Sequence, residues 1–212
     1  MKETNLRITH IIGLIWIMIA GFACNDSEPE LDGSNSAETS VEGTSPVETD
    51  ESDYYLTHKE ELVFIFASSR STCPACEDAE LSELINDIKT KIQDRSRELG
   101  IGFTSIGIAV DWSPETGIDH LRNISIFDEM IVGRNWYNTG MIKYTFSEFP
   151  GRRGLPQIII TKRVYSGEMN PDRGVISGYN GIESDVELHR VFGPPAFARW
   201  NRDGLPFSRE ID

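Results

Sequence analysis

At 212 residues, with a formal net charge of −14 and three cysteines, the chain is sized for one domain of ordinary dimensions preceded by a targeting segment and a tether. Three cysteines are too few for a disulfide-stapled scaffold. Arginines scattered over an acidic background give no basic stripe to neutralise phosphates, so no nucleic-acid partner is expected.

The charge is unevenly spread. Met1 to Arg7 is short and polar, Ile8 to Ala23 is almost wholly apolar, and Cys24 follows directly. That layout is a secretory signal, and its apolar run is shorter than the ~20 residues a spanning helix needs. A small residue followed by cysteine at the end of such a run resembles the bacterial lipobox. The resemblance implies diacylation of Cys24, residues 1–23 as a lipoprotein-type signal peptide, and a place at the cell envelope, lipid-anchored on the periplasmic or surface side. Gly21 and Phe22 depart from the usual lipobox residues, and a signal cut after Ala20 or Ala23 would leave Cys24 as a free thiol. Residues 25–53 hold ten Asp or Glu side chains and no Lys or Arg. With scarcely an apolar side chain they cannot bury enough surface to offset ordering entropy, so 24–53 reads as an acidic, disordered tether.

The folded part is expected over 54–192. Glu61-Leu-Val-Phe-Ile-Phe-Ala67 reads as a buried strand, and Ser68 to Thr72 as a loop. From Pro74 the pattern turns helical, with Leu81, Leu84, Ile85, Ile88 and Ile92 on one stripe and Gly100 as a stop. Phe103 to Val110 is a second strand, parallel to the first across the helical crossover. Between 111 and 150 the pattern predicts a short helix over Pro114–Ile124, an extended piece over Glu129–Val132 and a helix over Trp136–Phe146. Pro156 introduces a third strand through Thr161, and Gly174 to Tyr179 forms a fourth, hairpin-linked by the Asn170-Pro-Asp-Arg-Gly174 turn signal. Ser184 caps a last helix containing Val186, Leu188 and Val191. Residues 193–212, rich in Gly, Pro and Arg, read as a C-terminal extension lying as loop over the surface.

Cys73-Pro74-Ala75-Cys76 is the informative motif. Two cysteines three apart at a helix start place one sulfur at the exposed end and the other beneath it, close enough to bridge. Free backbone N–H groups and the positive end of the helix dipole favour a thiolate on Cys73, the attacking sulfur, and Cys76 then resolves the mixed disulfide. A lone C-x-x-C is also half of a zinc site, but His58, His120 and His189 fall in no ligand-type spacing, so no metal is expected.

The order strand, Cys-x-x-Cys at a helix start, strand, helix, Pro-opened hairpin strand and final helix resembles the thioredoxin superfamily over roughly residues 58–192. The resemblance implies an α/β fold with a central mixed sheet flanked by helices, here with an insertion between the second strand and the proline-led strand. It further implies a cis bond before Pro156, with Leu155 and Pro156 lining the groove for bound peptide, no cofactor, and protein thiols or disulfides as partners. A membrane redox partner would recycle the site. Two departures stand out. Thr72 replaces the aromatic residue that often precedes the first cysteine, and none of Phe64, Ile65 and Phe66 supplies the buried carboxylate that handles the resolving cysteine's proton in many members. Proton transfer would then need water or another group such as Glu77, although Glu77 and Asp78 read first as ordinary first-turn helix residues.

Gly133-Arg-Asn-Trp-Tyr-Asn138 is dense in aromatic and amide side chains, suited to loop packing or to shaping a partner groove. Neither a Gly-rich phosphate loop nor a G-x-S-x-G elbow is present. The sequence therefore points to an envelope thiol–disulfide oxidoreductase. Its rival is a non-catalytic lipoprotein that uses the same scaffold for binding, with an inert Cys73–Cys76 disulfide.

Overall fold

β1 (Glu60–Ser68) is buried from Glu61 to its end, and its alternation feeds two cores. Leu62, Phe64 and Phe66 enter one, while Val63, Ile65 and Ala67 enter the other, as successive side chains of a central strand must. Each phenylalanine removed from water there contributes roughly 1.5–3 kcal/mol. The computed structural model describes residues 56–178 and 181–210. The expected signal segment, Cys24 and the tether lie outside these residues, and among the described residues no helix is long and apolar enough to cross a membrane.

α1 (Leu81–Leu99) buries Leu81, Ile85, Ile88 and Ile92 on one stripe and ends at Gly100, whose φ of 67° is the left-handed cap conformation that glycine adopts without steric cost. β2 (Gly102–Ala109) then pairs in parallel with β1. α2 (Pro114–Ile124) starts as its sequence dictates, with Ser113 accepting from the Thr116 N–H and Pro114 in the first turn. Gly117 permits its close approach to β2, since a Cβ there would stand 2.9 Å from that of Ala109. β3 (Glu129–Ile131) adds a third parallel strand.

The helix expected over Trp136–Phe146 is broken into pieces. A single 3₁₀ turn at Asn135–Tyr137 is followed by a short α3 (Thr139–Met141), which runs into a π-helical stretch over Ile142–Ser147. Asn138, extended at φ −72° and ψ 159°, separates the turn from α3, so one regular helix cannot run from Trp136 to Phe146. Met141, Tyr144 and Phe149 from this stretch cover the second core.

β4 (Gln157–Tyr165) is antiparallel to β1, and β5 (Glu168–Asn170) with β6 (Val175–Ser177) forms a small separate hairpin. The last helix is misplaced by the sequence reading. Residues 184–191 belong to β7 (Ile182–Phe192), antiparallel to β4, and the helix is α4 (Pro194–Arg202). Its Phe197 and Trp200, with Leu205 beyond it, sit in the first core, so residues 193–205 are part of the domain rather than a loop laid over its surface. The result is a mixed sheet in the order β3-β2-β1-β4-β7. α1, α2 and α4 contribute to the core on one face, and the 135–149 segment covers the other. With α4 and β7 in these places, the element order is the one the thioredoxin resemblance implies.

Candidate functional site

The dithiol lies beyond the C-terminal end of β1. Ser68 closes the strand, its carbonyl accepting from Val110 N–H at 2.8 Å. The next residues are turned by a carboxylate the sequence reading did not single out. Asp111, fully buried just after β2, accepts from Ser69 Oγ at 3.0 Å, from Arg70 N–H at 3.2 Å and from Ser71 N–H at 2.9 Å. Burial opposes its charge, but the hydrogen bonds from residues 69–71 outweigh it and hold the carboxyl below its ordinary range. Ser69 Oγ in turn accepts from both the backbone N–H and the hydroxyl of Thr72. The loop is thereby aimed into Cys73.

Cys73 and Cys76 form a disulfide with their Cα atoms 5.3 Å apart. Pro74–Cys76 is one 3₁₀ turn, closed by Cys76 N–H to the Cys73 carbonyl at 2.9 Å. It is not the start of α1, which corrects the expectation of a helix from Pro74. The Asp78 side chain accepts from Glu80 N–H at 2.9 Å and its carbonyl accepts from Leu81 N–H. That local turn competes with helical pairing and delays the helix to Leu81. The dipole of α1 therefore does not begin at Cys73. The sulfur-bearing residues are also less open than expected: Cys73 is 5% exposed and Cys76 fully buried. Cys73 still has the only access of the two.

Behind Cys76 is a cavity of about 430 Å³ that it shares with Arg70, Glu77, Ser82 and His120. His120, on α2, is 5% exposed, and its Nε2 lies 2.8 Å from Ser68 Oγ. Desolvation lowers the imidazole pKa below its ordinary 6.5, Asp111 and Glu77 pull it up, and Arg70 pushes it down. His120 is thus held neutral at neutral pH. Sequence spacing treats it only as an isolated metal-ligand candidate, since nothing local pairs it with a serine fifty-two positions earlier. Among the described residues no group of three or more metal-ligating side chains gathers.

Leu155 and Pro156 lead into β4 through a cis peptide bond. Gln157, next in the chain, pairs with Ala67, so the two residues stand at the end of the sheet from which the dithiol loop leaves. Leu155 packs against the core that contains both cysteines. The 133–138 segment divides in function. Asn135 and Asn138 are buried, and Asn138 bonds the carbonyls of Ala109 and Asn135. Tyr137, 64% exposed, faces Trp112, 69% exposed, with ring centroids 6.4 Å apart.

No family model matches the chain, and no curated protein matches it. Among solved structures it is similar to a thiol:disulfide interchange protein, a thioredoxin family protein from Chlorobium tepidum TLS, at 18% identity and a TM-score of 0.35, over 68% of this chain and 77% of that one.

Proposed function

We propose that this chain is a cell-envelope thiol–disulfide oxidoreductase, lipid-anchored through Cys24, that exchanges disulfides with protein substrates. Cys73 is the nucleophile and Cys76 the resolving thiol. Leu155 and Pro156 flank the groove for substrate peptide, and a membrane redox partner restores the dithiol. The observation that carries the reading is the Cys73–Cys76 bridge on a loop at the end of the central strand, with the sulfur-bearing residue of partial access first in sequence and the fully buried one second. An attacking sulfur needs access, whereas a resolving sulfur needs only to reach its neighbour.

The slight exposure of Cys73 favours a second reading, in which the bridge is structural and the scaffold a binding module. Titration of the full chain against glutathione, with thiol trapping, separates the two. The oxidoreductase has a reduction potential between about −120 and −270 mV, and its reduced Cys73 alkylates readily. A potential well below about −300 mV, with Cys73 inert after reduction, establishes the structural bridge and removes the enzyme.

A further inference from the structure

We infer that His120 is the proton acceptor for Cys76 during resolution of the mixed disulfide. The inference rests on the oxidoreductase reading and assigns a role within it.

Three observations converge. β1 offers no carboxylate beneath the dithiol, its inward residues there being Phe64, Phe66 and Ser68. His120 lines the same cavity as Cys76. The imidazole is fixed by Ser68 Oγ at Nε2, and among the described residues no hydrogen bond reaches Nδ1. Glu77 also lines the cavity but is exposed to solvent, and an imidazole held neutral in a buried site is the better base near neutral pH. The charged groups around it are Arg70 and Glu77 at the cavity and Asp111 at the loop it braces. Asp78 completes the acidic side of the same cavity.

The chemistry balances without a further reagent. The Cys73 thiolate attacks a substrate disulfide, the substrate S–S bond breaks, and one substrate thiolate leaves. Cys76 Sγ–H gives its proton to His120, directly or through water in the cavity, and Cys76 Sγ attacks Cys73 Sγ. The bond from Cys73 to substrate breaks, and the second substrate thiolate leaves and takes a proton from the imidazolium or from solvent. The substrate disulfide is reduced by two electrons and the dithiol is oxidised to the Cys73–Cys76 bridge.

The test uses the full chain in detergent with Cys24→Ser, reduced and then mixed in stopped flow with one equivalent of dithiobis(nitrobenzoate). The first coloured thiolate reports attack by Cys73 and the second reports resolution by Cys76. In His120→Asn the second phase slows by about tenfold or more at pH 7 while the first keeps its rate. Added imidazole restores part of the second phase, and the deficit closes at high pH, where Cys76 ionises unaided. Parental protein loses second-phase rate as pH falls through the depressed His120 pKa, a measurement that holds even where the variant fails to fold. An unchanged second phase and pH profile in a folded His120→Asn overturns the inference and leaves the enzyme standing. Absence of the first phase in parental protein overturns both.

Discussion

Two polar clusters are buried at opposite ends and on opposite faces of β1, and they are built on different principles. Near its start, Arg163 on β4 bonds Glu61 at 3.3 Å, Asp185 at 3.1 Å and the Tyr144 hydroxyl at 2.7 Å. Lys143 reaches Asp185 at 3.0 Å, and Tyr165 donates to Glu61. At its end, Asp111 has only neutral N–H and O–H donors, and His120 only a serine hydroxyl. The first cluster closes its charges on one another and ties β1, β4 and β7 to the covering segment. Burial and the Glu61 hydrogen bond even push the Tyr165 phenol up to about 12, which keeps it a donor at every physiological pH. The second holds a histidine through one ring nitrogen, at a cavity that it shares with Cys76. One end is closed by charge pairs and the other by hydrogen bonds from neutral groups.

Breaking the fastening end produces the largest effect. Arg163→Met leaves Glu61 and Asp185 buried without their guanidinium, a change of about 3–5 kcal/mol in unfolding free energy by urea titration. A loss under about 1 kcal/mol would show that the cluster is not the clamp its geometry describes. Next in size is Asp111→Ala, which frees three donors at residues 69–71 and costs about 2–3 kcal/mol. It also accelerates alkylation of reduced Cys73, because the loop is no longer held.

Acid sharpens the contrast. The Asp111 pKa is lower folded than unfolded, so its contribution is present above about 3.8 and is lost as pH falls through the folded value. His120 works in a higher window. Its folded pKa is depressed below 6.5, so as pH falls below 6.5 the unfolded chain takes up a proton that the folded one refuses, and stability declines. His189, also depressed by burial, adds in the same direction. The slope is at most about 1.4 kcal/mol per pH unit for each histidine. Urea titrations from pH 7 to 5 should show a shallower decline in His120→Asn, and an identical decline would mean that His120 titrates normally. The smallest effect belongs to the exposed pair: Trp112→Ala changes stability by less than about 0.5 kcal/mol, checked by the same titration.

Much of this was legible in the sequence because the signals were local. The β1 apolar run, the α1 stripe ending at Gly100, the Ser113-Pro114 start of α2 and the Pro156 entry to β4 each follow from a few adjacent residues. The errors lie where the deciding partner is distant. In β7 the register against β4 slips between Ile160 and Thr161, passing over Leu188, whose carbonyl accepts instead from Ser208 and Arg209. That bulge spoils the two-residue period and lets Val186, Leu188 and Val191 pass for a helical face. Pro194 and Pro195 look like loop, yet both stand in the first turn of α4, where a missing N–H costs nothing. At the site, the cysteines announce themselves by spacing. Asp111 and His120 do not, since their meaning comes from residues forty and fifty-two positions away.

The turn at Asp78 leaves the dithiol segment as a separate piece of chain between strand and helix. The β1 ladder ends at Ser68 and α1 begins only at Leu81, so neither ladder runs through residues 70–78. Asp111 grips this stretch by the backbone N–H groups of residues 70 and 71, which every residue but proline carries. Substitution at the exposed Pro74 and Ala75 therefore leaves the Asp111 attachment and the sheet in place.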